Sequence, residues 1–337
     1  MTNRDDGIHF TYLNGPDIDA LEMSDQEILD AVEAGVLAQG QGECVIEPRM
    51  HLTPDPAFNG HFNVLRGYVA PLGYAGVKVV GDYVDNYKQG LPSEMAMLSL
   101  FDPRTGMPKA LLDATAITEM RTGALTALGA KYLGPKTAET LGHIGARGTA
   151  YWNVRLLDHL YDFKEIRVHS RRPESRNQFA ERLSRDLGKP VIATEDWETC
   201  LNQADIQVEA SRLPAPEPLF RTEWVKKGGF VVPYGTMSTL PIDFTDVMDR
   251  IYVDDRGQMR AGHLGALRPH INAGKVTETS VAGELGEVAA GKVPGRQSED
   301  ETILFWHRGL SLSDIALGAA MLEKAATRGI GQRLRYA

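Results

Sequence analysis

Cysteine is nearly absent: the 337-residue chain has only Cys44 and Cys200, far apart and without C-x-x-C spacing. That scarcity excludes a disulfide framework and a zinc knuckle, and it points to a reducing compartment, by default the cytoplasm. Positive charge is also short, since 36 Lys and Arg against 45 Asp and Glu leave a net charge of −9. Such a balance offers no basic face for a phosphate backbone, so nucleic acid is set aside as a partner. Long hydrophobic runs are missing too. None approaches the ~20 residues that span a bilayer, and "MTNRDDGIHF" is too polar for a signal peptide, so no membrane partner is expected. The nine histidines show no metal-ligand spacing, and no metal is implied. What is there is a globular composition, 42% hydrophobic and 24% charged, long enough for two domains or one large one.

Local patterns divide the chain into two kinds of fold. "SDQEILDAVEAG" opens with Ser24 and Glu27 in capping-box spacing, and Ile28, Leu29, Val32 and Val36 form one apolar helical face. From Phe62 to Ala114 the apolar runs "FNVLRGYVAP", "GVKVVGDY" and "MAMLSLFD" are separated by glycine, proline and aspartate, which predicts an antiparallel or mixed sheet. "TEMRTGALTALGAKYLG", Thr118 to Gly134, predicts a helix that stops at Gly-Pro, a domain boundary. After Pro135 strands and helices alternate to about Asp254, the signature of a doubly wound parallel sheet. "ETILFWH" reads as one more strand. "SLSDIALGAAMLEKAATRG" is a long helix with too many alanines for a surface arm, so it packs against another domain or subunit.

The most informative turn is "IGARGTA", Ile144 to Ala150. Gly145 ends a strand, Gly148 begins a helix, and the next strand ends at Ser170, the strand-turn-helix context of a dinucleotide fingerprint. Arg147 stands where the middle glycine belongs, trading close backbone approach to the phosphates for a positive charge. The helix amino terminus, entered at Thr149, offers unpaired N–H groups to a pyrophosphate. An NAD-binding second strand usually ends in Asp or Glu; here it ends "VHSRRPE". Ser170 removes the repulsion of an added phosphate, and Arg171 with Arg172 can clamp it, so NADP(H) is preferred and NAD(H) possible. The plainer readings are a ligand-free turn and an arginine pair capping the next helix.

These features resemble the ornithine cyclodeaminase/mu-crystallin family over nearly the whole chain. The resemblance rests on "GVKVV" with Lys78, on "LPSEMAMLSLFDPRTGMPKALLDATAITEMRTGALTALGAKYLG", on the glycine loop, and on "GELGEVAAGKVPGRQSEDETILFWHRGLSLSDIALG". It implies an α/β protein in which residues 135–308 form a Rossmann domain, a doubly wound parallel sheet. Residues 1–134 with 309–337 would form an α+β substrate and dimerisation domain. It further implies a homodimer that acts on small α-amino or α-imino acids with a nicotinamide cofactor. Lys78 matches the family's active-site lysine, Arg121 the arginine opening the long helix, and Arg49 of "EPRMHL" a second arginine. Ser93, Thr122, Ser211 and His307 fall where the family contacts its cofactor. His307 admits other roles, as a core residue or as a substrate-facing group with a pKa of about 6.5.

Elementary chemistry agrees with that assignment. An α-carboxylate calls for a bidentate cationic clamp, which Arg121 and Arg49 can supply. A lysine held beside two arginines in a closed pocket has its pKa pushed down, which suits it to protonate an imine nitrogen or deprotonate an amine. One departure refines the expectation. Where the cyclodeaminases carry an aspartate two positions beyond the equivalent of Gly235, this chain has Met237, which can neither accept a proton nor orient a cationic amine. Net redox is therefore expected, by an imine or ketimine reductase or an L-amino-acid dehydrogenase. A true ornithine cyclodeaminase and a mu-crystallin-like binder of NADPH or a small ligand remain the alternatives.

Overall fold

The computed structural model describes residues 7–261 and 265–337. It forms two compact units, Met1–Arg121 with Leu310–Ala337, and Thr122–Gly309. The division falls inside a helix, whereas the sequence reading sets the boundary at that helix's end, Gly134.

In chain order, β1 (His9–Leu13), α1 (Gly15–Ala20) and α2 (Asp25–Gln41) come first. The expected capping box starts α2: Ser24 Oγ accepts from the Glu27 N–H, and Glu27 Oε2 accepts from the Ser24 N–H. Then follow β2 (Cys44–Ile46), β3 (Met50–Leu52), β4 (Gly60–Val69), β5 (Tyr74–Tyr83), β6 (Glu94–Phe101), β7 (Pro108–Asp113) and α3 (Thr115–Leu133). The chain continues through β8 (Thr140–Ile144), α4 (Thr149–Tyr161), β9 (Glu165–His169), α5 (Pro173–Leu187), β10 (Val191–Ala193), α6 (Trp197–Leu201), β11 (Ile206–Glu209), β12 (Phe230–Pro233) and β13 (Arg250–Val253). It closes with α7 (Arg256–Arg260), α8 (Arg268–Asn272), β14 (Val281–Glu284), α9 (Leu285–Ala289), β15 (Ile303–Trp306), α10 (Ser311–Arg328) and β16 (Gln332–Arg335). Among the described residues no helix is long and apolar enough to cross a membrane.

The first unit is built on a mixed sheet of order β16-β1-β7-β6-β5-β4-β2, with β3 also on β4. From β4 to β7 it is an antiparallel meander; β1 joins β7 in parallel. Strand periodicity decides which side chains go inward. In β5 the set Gly76, Lys78 and Val80 is buried, and the register places Lys78 between Leu65 of β4 and Leu98 of β6. That face is covered by α10, which packs on β4, β5 and β6 and against α2. Two glycines set how close the helix comes: a Cβ on Gly76 would lie 2.7 Å from Ile315, and one on Gly318 2.5 Å from Leu98. The alternate set points away from α10 and leaves Val79, Met95 and Met97 exposed, with Met50 and Leu52 of β3.

The second unit is an all-parallel sheet of order β10-β9-β8-β11-β12-β15-β13-β14. Its strands are continuous apolar runs such as "FVVP" and "ILFW", buried on both faces as a sheet between helical layers requires. Order reverses at β8, so the carboxyl ends of β8 and its neighbours open the crevice in which α/β sheets bind ligands.

Candidate active site

In the first unit Lys78 is almost wholly enclosed, 1% exposed, and its ammonium is gripped from two helices. Nζ donates to Asp314 Oδ1 of α10 at 2.6 Å and to Thr118 Oγ1 of α3 at 3.0 Å. Thr118 and Arg121 lie one turn apart on the same face of α3. Thr118 gives its own hydroxyl proton to the Ala114 carbonyl, so its oxygen acts toward lysine as an acceptor. Arg121 Nε donates at 2.8 Å to the same Asp314 oxygen that Lys78 uses. Both residues are buried, and Asp314 Oδ2 and Arg121 Nη1 have no hydrogen-bond partner among the described residues.

An ammonium has three donors, and Asp314 and Thr118 take two. The remaining tetrahedral position carries a proton in the charged form and a lone pair in the neutral one. Burial pushes the Lys78 pKa down to about 7, helped by the positive charges of Arg121 and Arg49, while Asp314 holds it up. Near neutrality the same direction of Nζ can therefore give or take a proton. Lys78 and Arg121 share one carboxylate, and Arg49 adds a third positive charge that acts on Lys78, an excess of positive charge that suits an anionic ligand. Thr118 and Asp314 were not among the residues singled out in the sequence.

The glycine loop lies in the second unit. Gly145 follows β8 with φ +111°, and a Cβ there would meet the Ala210 carbonyl at 2.9 Å, so conformation and space both require glycine. Gly148 occupies the N-cap of α4 with φ 45° and makes no side-chain cap, leaving the first-turn N–H groups from Thr149 onward without one. Arg147 between them is exposed. Beyond β9, Ser170 is half-buried and Arg171 and Arg172 are exposed. Arg172 holds the N-cap position of α5 but makes no side-chain cap bond, so helix capping is not its role. An uncapped helix start, a glycine without room for a side chain and two arginines after the second strand fit a dinucleotide. Ser211 follows β11 and is half-buried, and Thr122 is buried on α3. Ser93, in the first unit, precedes β6, and its carbonyl accepts from Tyr83 N–H.

A buried polar chain runs behind the loop. His307 is fully enclosed: Nε2 lies 2.9 Å from Thr126 Oγ1, and the ring stacks on Tyr234 at 4.7 Å. The Tyr234 hydroxyl contacts Thr149 Oγ1 at 2.7 Å and the Asn153 amide, which also lies 3.1 Å from His143 Nε2. Burial pushes His143 down to about 4, so its imidazole is neutral, accepts at Nε2 and donates from Nδ1 to the Gly145 carbonyl at 3.2 Å. Met237 sits half-buried in the turn after β12. Tyr234, Asn153 and His143 carry no sequence signal, because their contacts join three elements that only the fold assembles.

Known proteins share the fold along nearly the whole chain. Delta(1)-pyrroline-2-carboxylate reductase of Thermococcus litoralis, solved with NADH and L-proline, superimposes with a TM-score of 0.89 at 27% identity, over 96% of this chain and 100% of that one. An archaeal alanine dehydrogenase dimer with bound NAD gives 0.87 at 26% identity, over 98% and 100%. The iminosuccinate reductase of Paracoccus denitrificans is 30% identical over 282 residues, 82% of this chain and 86% of its own length. The sequence profile of one family matches from residue 13 to residue 329, taking in the buried lysine and the glycine loop together, and the chain belongs to the ornithine cyclodeaminase/mu-crystallin family.

Proposed function

We propose that this protein is an NAD(P)H-dependent oxidoreductase that acts on the C=N or CH–NH bond of a small α-imino or α-amino acid. The observation that carries the reading is the buried Lys78 Nζ, which Asp314 and Thr118 hold by two of its three donor positions, on an amine whose pKa lies at about 7. Arg121 offers Nη1, and Arg49 adds charge close enough to act on Lys78, so the two arginines receive the substrate carboxylate. That fixes the imino nitrogen toward Lys78, which protonates it in reduction and takes the proton back in oxidation. Asp314 orients Lys78 and Arg121 together and leaves neither free to swing. A bound nicotinamide dinucleotide supplies or takes the hydride at the α-carbon. His307, with Nε2 engaged by Thr126 and its ring stacked on Tyr234, serves as a wall of the second unit.

The absence of an acid after β9, with Ser170, Arg171 and Arg172 in its place and Arg147 in the loop, supports NADP(H) over NAD(H). Relatives solved with NADH and NAD support the broader class of cofactor. The apolar side of the first sheet supports a homodimer: Met50, Val64, Val79 and Met97 are successive neighbours across β3 to β6, and three of them are exposed.

The test is to incubate the protein with NADPH or NADH and a panel of cyclic ketimines, or 2-oxo acids with amine, and follow reduced-cofactor absorbance. Net oxidation is expected, and Lys78→Met should slow it by about a hundredfold or more while cofactor binding persists. Proline and ammonia from ornithine without net cofactor change would overturn the reading in favour of cyclodeamination. A Lys78→Met variant as fast as wild type would remove the proton-transfer role.

A further inference from the structure

We infer that Glu209 is a positioning residue for the cofactor: its carboxyl holds the turn after β11 while its carbonyl holds the turn after β12, and ionisation of the buried carboxyl loosens the first turn and weakens dinucleotide binding. The inference rests on the dinucleotide reading given above. Glu209 ends β11, in register with Ile144 of β8 on one side and Pro233 of β12 on the other. It therefore sits at the carboxyl edge of the sheet beside the glycine loop. It is fully buried, 0% exposed. Its carbonyl accepts from the Tyr234 and Gly235 N–H groups at 2.9 and 3.1 Å, and Oε1 accepts from the Ser211 N–H at 2.7 Å. Thr236 N–H closes the link by donating to the Ser211 carbonyl at 3.1 Å. Gly235 is shaped around the acid, since a Cβ there would lie 2.5 Å from Oε2.

No positive charge among the described residues pairs with this carboxyl. Among the described residues Glu209 has no ion pair. The titratable or charged residues on the elements flanking it include His143 on β8, uncharged; Tyr234 after β12, bonded through its hydroxyl to Thr149; and Arg212, exposed after β11. Burial pushes the Glu209 pKa up to about 7, against the pull of the Ser211 and Thr239 hydroxyls beside it. A lone carboxylate in that place is costly unless water reaches it, and water reaches it only if the turns part. A raised pKa keeps the acid form, and with it the closed turns, below about pH 7; both are lost as the pH rises through that value.

The experiment is an NADH titration of the full chain between pH 6 and 8.5; NADH is used because a 2′-phosphate titrates in the same window. Wild type should lose affinity by about tenfold across the range. Glu209→Gln keeps the shape and the acceptor but cannot ionise, and its Kd should stay flat at the wild-type low-pH value. Lys78→Met, which removes a second buried group whose pKa lies at about 7, should keep the wild-type slope. Gly235→Ala, by displacing the carboxyl, should weaken binding at every pH. Parallel slopes in wild type and Glu209→Gln, or loss of the slope in Lys78→Met, overturn the inference while leaving the cofactor reading intact. No NADH binding by wild type at any pH overturns the cofactor reading and this inference with it.

Discussion

Replacing Asp314 by asparagine should move the pH limb of reduction rather than simply lower activity. Asp314 Oδ1 lies 2.6 Å from Lys78 Nζ, and both groups are buried. Coulomb's law at that separation with an effective dielectric of about 20 gives about 6 kcal/mol of attraction, a ceiling of roughly 4 pKa units. The asparagine oxygen keeps a dipole on the ammonium and the pocket relaxes, so the net fall in the Lys78 pKa should be about 1–2 units. The direction is fixed. Asp314 is the group that holds the lysine proton on, while burial, Arg121 and Arg49 push it off. In wild type, kcat/KM for imine reduction should fall as the pH rises through about 7, because the acid form of Lys78 is the proton donor. In Asp314→Asn that limb should appear 1–2 units lower, costing about tenfold or more at pH 8. For amine oxidation the base form is needed, and the rising limb should shift to lower pH by the same amount. The assay is initial rate against pH in both directions, with thermal unfolding to confirm the fold. An unchanged limb in a folded variant would refute the claim that the Lys78–Asp314 pair sets the proton affinity. Thr118→Val offers a milder version: it removes one acceptor from Nζ and should displace the limb in the same direction by a smaller amount.

Other outcomes follow from the cofactor side. An Arg171→Ala/Arg172→Ala double variant should weaken NADPH by about a hundredfold and NADH by no more than about threefold, since each arginine–phosphate bond contributes about 1.5–3 kcal/mol. Equal losses measured by fluorescence titration would mean the pair does not read the 2′-phosphate. Gly145→Ala should cost about 1–3 kcal/mol of loop strain, because φ +111° and a 2.9 Å contact with Ala210 both oppose a Cβ, and dinucleotide affinity should fall by tenfold or more. Unchanged affinity would show that the loop is not the phosphate site.

Much of this was legible from residues alone, for reasons that differ by element. The spans of α4, β9 and α5 show in the sequence because their apolar period switches cleanly from 3.6 to 2 and back. The strand β16 does not: "QRLR" is exposed at all four positions and is held by backbone pairing with β1, which leaves no trace in side-chain pattern. β3, exposed at all three positions, escapes for the same reason. Lys78 and Arg121 stood out through resemblance, and burial explains why a lysine belongs in that strand. Asp314 was present in "SLSDIALG" as a lone carboxylate between Leu312 and Ile315, a signal that acquires meaning only when its partner, 236 residues away, is known. Glu209 was similarly visible as the one acid inside the apolar strand "IQVE", yet the glycine that makes room for it lies on another strand's turn.

The docking of α10 onto β5 and β6, which two glycines permit, also completes the surroundings of Lys78. Lys78 is synthesised early, and the carboxylate that holds its proton arrives last, after the whole second unit has left the ribosome. Until α10 docks, Lys78 has Thr118 of α3 beside it but no counter-charge. The second unit can fold before that moment, since its strands and helices are contiguous in sequence, while the first must wait for a contact of very long sequence separation. A nascent chain should therefore bind dinucleotide before it can move a proton, and the final helix acts as the step that commissions the site.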